Sequence, residues 1–525
     1  MYLCPVAAEI YVRLKGGINV KGISRAVSPK PKINAVTGES VTFSEVLKKS
    51  LSVAANLRRR GLWPRDRLAV MSENHLDFFL PVLGSYFLGV ACATISPAYT
   101  PRELLHALNI TQPPVLFCSP ACVPTVKKVA KQATFVKLIV VFGEDTSHGY
   151  VPLSTFLNGG DIPFTASNPN HEAEYITNVL CTSGTTGLPK GASITDRNLF
   201  TNLLFFNDRG FGKLDPDHVM LGVVPYVHVF GLILQLQCFS HGLTVVVMPR
   251  FQEKLFLESI QRYKVSFLSL VPTLMVFLAK SPLVDQYDLS SLKEIWCGAA
   301  PLSPDMQARV TARLGVKHIQ QGYGSTELMT ALHIPLGRDK PGSAGVLAPG
   351  THCKILDLVT GKTLGPNKEG ELCFKGAQIM KGYYGDSKST SECFDEEGYF
   401  HTGDVGYYDT DGYFFIVDRI KELIKYKAFQ VAPAELEAIL LKHPSIEDAA
   451  VVGVPDEVSG ELPKAFVVKK QGVDVTEEEI VKFVEGQVSP HKKLRGGVTF
   501  VDSIPKTSSG KILRRELRSF SKSKL

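Results

Sequence analysis

One run of residues constrains this chain more than any other: Thr182-Ser183-Gly184-Thr185-Thr186-Gly187-Leu188-Pro189-Lys190-Gly191. The apolar segment Ile176 to Cys181 leads into it as a strand, and Ala192 to Thr195 leaves it as another. Small residues let backbone N–H groups crowd around phosphate oxygens, the Ser and Thr hydroxyls add donors, and Lys190 adds a mobile positive charge. The Gly-Lys-Ser/Thr ending of a Walker A loop is absent, and a strand rather than a helix follows at once. A turn with no ligand accounts poorly for a run so dense in phosphate-binding chemistry.

The surrounding pattern is strand–helix alternation. Residues 41–60 read as a helix capped at Thr42 or Ser44, Leu68 to Met71 as a strand, and the Phe78 segment as a helix. Val115 to Cys118, Val123 to Lys131 and Leu138 to Phe142 continue the alternation; so do Leu243 to Met248, Phe256 to Tyr263 and Val265 to Leu270. This is α/β architecture built on a largely parallel sheet. After about residue 350 turn signals become dense and short strands suggest a smaller β-rich layer. Phe414 to Val417 reads as a strand and Asp418-Arg419-Ile420-Lys421 as a polar joint. A compact α+β pattern follows: helices at Pro433 to Leu441 and Thr476 to Glu485, strands at Ala449 to Val454 and Ala465 to Lys469. Thr476 and Glu479 form a capping box. The domain boundary therefore falls near 419/420, giving units of 1–419 and 420–525.

Charge and cysteines exclude several classes. Lys and Arg number 58 against 51 Asp and Glu. That mild excess is spread out and does not alternate with aromatics, so a nucleic-acid partner is not expected. The ten cysteines are scattered, with only Cys118 and Cys122 close, which argues against a zinc site or a disulfide framework. Glu9 interrupts any N-terminal signal peptide. Phe78 to Ile95 is apolar enough to suggest a membrane span, but Pro81, Gly84 and Gly89 make it a buried segment instead, and no transmembrane segment is expected.

Four further motifs carry chemistry. In Gln321-Gly322-Tyr323-Gly324-Ser325-Thr326-Glu327, Tyr323 offers a face to a purine, Thr326 a donor to phosphate, and Glu327 an oxygen ligand to Mg²⁺. In Tyr399-Phe400-His401-Thr402-Gly403-Asp404 a carboxylate on a tight turn suits ribose hydroxyls, although an Asx-turn explains it equally well. Asp418 to Lys425 is the fourth motif, and Pro505-Lys506-Thr507-Ser508-Ser509-Gly510-Lys511 presents one lysine after a glycine.

In order and content these motifs resemble the adenylate-forming superfamily of acyl-CoA synthetases, 4-coumarate–CoA ligases and beetle luciferases. The likeness spans essentially the whole chain and is most specific at 182–191 and 418–437. It implies a large N-terminal domain of layered α/β sheets that binds ATP and acid, and a small mobile α+β C-terminal domain. It implies that Thr182 through Gly191 take the phosphates and that Gly298, Ala299 and Ala300 line adenine opposite Tyr323. Asp404 and Arg419 would hold the ribose, with Lys421 at the hinge. Lys511 would neutralise charge as a carboxylate attacks the α-phosphate. His228 matches a residue of the acid pocket and thiol entrance, although alone it reads as a core histidine; Lys425 and Gln430 belong to the adenylate site. The implied reaction joins a hydrophobic acid, fatty or aromatic, to coenzyme A, with ATP and Mg²⁺. Pocket candidates, namely His228, Val229, Phe230, Cys297, Gly298 and the Leu328 to Ala331 turn, are mostly apolar. Ala428 departs from the Gly usual in Lys425-Tyr426-Lys427-Gly and puts the thiol step in question. Two alternatives share the same motifs: a luciferase-type monooxygenase and a non-catalytic nucleotide-binding descendant.

The chain ends Ser523-Lys524-Leu525, a tripeptide read by the peroxisomal import receptor. Ser519 to Lys522 reads as a disordered polar approach to it, so a peroxisomal location is expected.

Overall fold

The computed structural model describes residues 31–144, 149–158, 175–182, 189–206, 214–335, 337–427, 429–507 and 510–522. Two large sheets dominate. In the first, Ile176–Thr182, Ala91–Ile95, Arg67–Met71, Val115–Cys118 and Leu138–Val141 lie side by side and parallel. Lys190–Thr195 then pairs antiparallel to Ile176–Thr182, so the phosphate-type loop joins two neighbouring strands. In the second, His318–Ser325, Glu294–Cys297, Phe267–Leu270, Val219–Gly222 and Thr244–Val247 are parallel. Most residues of these central strands are buried, as in a parallel sheet covered by helices on both faces.

Between the sheets lies one apolar core fed by the helices Phe43–Arg59 and Phe79–Leu88. Thr42 caps the first helix with a reciprocal Glu45 box, one of the two caps expected. The helices cross at Gly84, where a Cβ would meet Val53 Cγ1 at 3.1 Å and the Ser50 carbonyl at 3.2 Å. The suspected span Phe78 to Ile95 divides into this buried helix and the strand Ala91–Ile95, and among the described residues no helix is long and apolar enough to cross a membrane.

The β-rich layer is an antiparallel sheet of His352–Leu356, Gly370–Lys375, Phe400–Tyr408 and Phe414–Arg419. Here two expectations are corrected. Phe414–Arg419 runs past Val417, because Asp418 and Arg419 are still paired with Val405 and Asp404, so the polar joint shrinks to the turn that follows. At the other end, Ser519 to Lys522 is no disordered approach: it belongs to the helix Arg514–Lys522, held by the fully buried Leu517. The Ser523-Lys524-Leu525 tripeptide lies outside the described residues.

The C-terminal unit has its own core around Ile424, Leu436, Val451, Val467 and Ile480. The helix Pro433–Leu440 packs on the hairpin Ile446–Asp456/Gly460–Lys469, and Glu477–Glu485 begins at the Thr476–Glu479 box. It meets the larger unit at several places, among them the 2.9 Å hydrogen bond from the Ala434 N–H to Asp418 Oδ2. Lys280 donates to the carbonyls of Ile446 and Glu447, at 3.3 Å each. The Gly510 turn comes close to Val271 and Thr273.

Candidate functional site

A cavity of about 240 Å³ opens where the second sheet's strands end. Gly298 and Ala299 continue from Glu294–Cys297, and Tyr323, Ser325 and Thr326 from His318–Ser325. The helix Val229–His241 supplies another wall, with His228 at its N-cap. Thr507 and Lys511 reach in from the C-terminal unit. The position fits the rule that ligands of α/β sheets bind beyond the carboxyl ends of strands.

Local sequence explains the geometry. The register shifts between Tyr323 and Gly324, which pair with Leu332 and Thr330, and the Met329 carbonyl occupies the place a Cβ on residue 324 would need. Only glycine fits there, so this strand presents Tyr323 and Thr326 to the cavity. Ala299 adopts φ 72°, a left-handed conformation unusual for a residue with a Cβ.

At the ribose end, Tyr323 Oη donates to Asp404 Oδ2 at 2.7 Å and Arg419 Nε sits 3.0 Å from Asp404 Oδ1. Burial, and then the Asp404 charge, push the Tyr323 hydroxyl pKa well up, so it remains a donor. The turn bearing Asp404 is clamped by Glu371, which accepts from the Gly403 N–H at 3.0 Å and pairs with His401 Nδ1 at 2.9 Å.

At the phosphate end, Lys190 Nζ donates to Ser389 Oγ at 2.7 Å and lies 4.9 Å from the Tyr383 ring centroid. Tyr383 Oη donates to Glu327 Oε1 at 3.1 Å. A carboxylate of this kind suits Mg²⁺, which binds through one or two carboxylates together with substrate phosphates. His106 Nε2, 2.8 Å from the Pro189 carbonyl, pins the exit of the loop. Thr182 is buried at the end of its strand; Ser183, Gly184, Thr185, Thr186 and Gly187 lie outside the described residues.

Lys511 follows Gly510 (φ 81°). Burial, then Arg419, lower its pKa, while Asp404 and Glu327 oppose the shift. His228 is depressed to about 4 by burial and by Lys511, so its imidazole is neutral at pH 7. The lysine and the neutral imidazole therefore face one cavity.

The other expected residues are elsewhere. Lys421 is exposed just past the Phe414–Arg419 strand, its pKa lowered first by partial burial and then by Arg419. Lys425 and Gln430 face each other across an exposed hairpin away from the cavity walls, Ala300 lies beyond the lining, and Ala428 is outside the described residues. The acid end needs correcting too. Leu328 and Ala331 point into the core, and Gln237, His333 and Thr330 interrupt a wall that is, as expected, mostly apolar. Sequence reading missed Tyr383, Ser389 and Gln237, none of which sits in a motif. Gln237 was reachable only through its seven-residue offset from Phe230 on one helix.

The comparisons agree with this geometry. The model of the family described as AMP-binding enzyme matches residues 23–384, and that of the AMP-binding enzyme C-terminal domain matches 435–511. A luciferin 4-monooxygenase of Nipponoluciola cruciata is 45% identical over 493 residues, covering 92% of this chain and 90% of that protein. 4-Coumarate–CoA ligase 2 of Nicotiana tabacum is 38% identical over 507 residues, covering 95% and 92%. Among solved structures, ATP-bound MatB from Rhodopseudomonas palustris superposes with a TM-score of 0.85 at 26% identity, covering 98% of this chain and 99% of that one.

Proposed function

Since the chain belongs to the AMP-binding enzyme family, within the adenylate-forming superfamily, we propose that it joins a hydrophobic carboxylic acid to coenzyme A by way of an acyl-adenylate. The observation that carries this reading is the meeting of Lys511 with His228, Tyr323 and Thr326 around one cavity.

A carboxylate is a poor acyl donor, because its leaving group would be oxide. In the first half-reaction a carboxylate oxygen attacks the α-phosphorus of ATP and the bond to pyrophosphate breaks. Lys511 offsets the negative charge gathered there, and it is worth most in a site that excludes water. Lys190 and the loop before it hold the phosphates, Asp404 and Arg419 orient the ribose, and Glu327 would hold Mg²⁺ against the phosphate oxygens. In the second half-reaction the thiol sulfur of coenzyme A attacks the acyl carbon and AMP departs. That step needs no side-chain nucleophile, only access. Withdrawal of Lys511 and approach of the Lys425–Gln430 hairpin is the rearrangement that would provide it.

Pyrophosphate release over a panel of acids, with and without coenzyme A, tests the proposal. Acid-dependent release and a thioester product support it; release with no thioester limits the enzyme to adenylation. A second reading, oxidation of the adenylate by O₂, is favoured by the higher identity to the luciferin 4-monooxygenase (45%) than to the ligase (38%). Light from protein, ATP, Mg²⁺ and luciferin would decide for it. We also place the enzyme in peroxisomes on the strength of Ser523-Lys524-Leu525. An N-terminal fluorescent fusion that stays diffuse would refute this.

A further inference from the structure

We propose that Glu371, Cys373 and His401 form a binding site for one divalent transition-metal ion of the zinc class, beside the turn that carries Asp404. The site is independent of the adenylation reading and separate from the Mg²⁺ expected at Glu327.

Sheet register assembles the three side chains. Cys373 on Gly370–Lys375 lies opposite His401 on Phe400–Tyr408, and the register shifts between Glu371 and Cys373. Both side chains thereby reach one imidazole. His401 Nδ1 stands 3.5 Å from Cys373 Sγ and 2.9 Å from Glu371 Oε2. The three ligand atoms all lie within 4.8 Å of one another. No motif announces them, since 28 positions separate Cys373 from His401.

Tetrahedral zinc holds sulfur at about 2.3 Å and nitrogen or oxygen at about 2.0–2.2 Å, so its ligands stand about 3.5 Å apart. The sulfur–nitrogen distance already has that value. The nitrogen–oxygen distance has to open by about half an ångström, a small rotation of a partly exposed carboxylate. A thiolate with an imidazole selects a borderline or soft ion over Mg²⁺ and Ca²⁺, which prefer oxygen.

The neighbours suit a bound ion as well. His401 Nε2 stands 3.7 Å from Asp395 Oδ2, and metal-ligating histidines aim their second nitrogen at such a carboxylate. Asp395 is itself held, by the Tyr399 N–H at 2.9 Å on Oδ1 and by Lys354 Nζ at 2.7 Å on Oδ2. On binding, the ion replaces the proton between Nδ1 and Oε2, the ring N–H moves to Nε2, and the thiol proton goes to solvent. Lys354 offsets Asp395, so the Glu371 carboxylate and the Cys373 thiolate balance the dication. Glu371 keeps Oε1 on the Gly403 N–H at 3.0 Å, which ties the ion to the turn bearing Asp404. The His401 and Glu371 side chains are 30% and 17% exposed, leaving an entry from solvent and room for water as fourth ligand.

The test is titration of the full-length, metal-stripped protein with Co²⁺, without nucleotide. Thiolate ligation reads out as a near-ultraviolet charge-transfer band and tetrahedral geometry as visible d–d bands. Both should appear with one equivalent, vanish when Zn²⁺ is added and persist in a large excess of Mg²⁺. Cys373→Ser should abolish the charge-transfer band. Asp395→Asn should weaken binding by about 10- to 100-fold, and His401→Gln by at least as much. Cys118→Ser, at a thiol outside the cluster, should leave the band in place. No charge-transfer band at saturating Co²⁺, a band that survives Cys373→Ser, or displacement by Mg²⁺ overturns the proposal. Should circular dichroism show that Cys373→Ser does not fold, His401→Gln decides, and an unchanged Co²⁺ affinity in that variant overturns it equally.

Discussion

Arg514 closes on Glu437 through both carboxylate oxygens, Nη2 standing 2.7 Å from Oε1 and 2.8 Å from Oε2. Both side chains are almost wholly enclosed, and Glu437 Oε1 also accepts from the Val451 N–H. Arg514 stands three residues after Lys511, so this pair anchors the segment that delivers the lysine.

Breaking the pair should therefore have two effects. Arg514→Leu leaves the Glu437 carboxylate buried and unpaired, at a cost of about 3–5 kcal/mol. Chemical denaturation should show that loss, together with slowed pyrophosphate release. The double variant Arg514→Leu/Glu437→Leu should recover much of the stability.

Lys511→Ala should lower pyrophosphate release by about 10²- to 10³-fold, the range for removing one preorganised charge stabiliser. Thioester formation from preformed acyl-adenylate should fall far less, because on the proposed reaction Lys511 acts at the α-phosphate attacked in the first step. Single-turnover assays of each half-reaction separate the two, and equal losses would contradict the assignment.

Lys32 bears on stability at a distance from the chemistry. Its side chain is fully buried, with Nζ 5.1, 5.4 and 5.6 Å from the centroids of Phe79, Phe239 and Tyr226 and no hydrogen-bond partner among the described residues. Burial lowers its pKa to about 7, against partial opposition from Asp77. Between pH 7 and 10.5 the unfolded chain binds the extra proton, so this group makes unfolding harder as pH rises through that window. Its contribution is complete above the unfolded value and is lost as pH falls towards 7. The slope approaches about 1.4 kcal/mol per pH unit. Lys32→Met should raise stability at pH 7 and remove that slope from denaturation curves measured across the window.

Ala299 holds φ 72° in the wall of the cavity. Ala299→Gly should relieve the strain and stabilise the protein by at most about 1 kcal/mol. The KM for ATP should change little if the turn keeps its shape, and a large increase would show that the methyl group itself touches the nucleotide.

What the sequence revealed was what is local. The strand Val115–Cys118 and the Thr476–Glu479 box lie where hydrophobic period and capping chemistry put them. The site was legible where small residues and charges cluster in one motif, as at Tyr323, Asp404 and Lys511. It was illegible where topology makes the neighbour. Ser389 meets Lys190 from 199 positions away, and nothing in the sequence around either residue announces the other. Leu328 and Ala331 were placed in the pocket because they share a turn with Thr330. Both are wholly buried in the core instead, Leu328 in the turn before the strand Met329–His333 and Ala331 within it.

The hairpin that carries Asp404 and Arg419 sits at the hinge between the two units. Asp404 and Arg419 pair across its end, and the Ile420 N–H still donates to the Gly403 carbonyl at 2.8 Å before the chain leaves for the C-terminal unit. On the proposed reaction, a ribose held there would sit at the root of the C-terminal unit, and nucleotide occupancy and any rotation of that unit would then draw on the same few backbone hydrogen bonds.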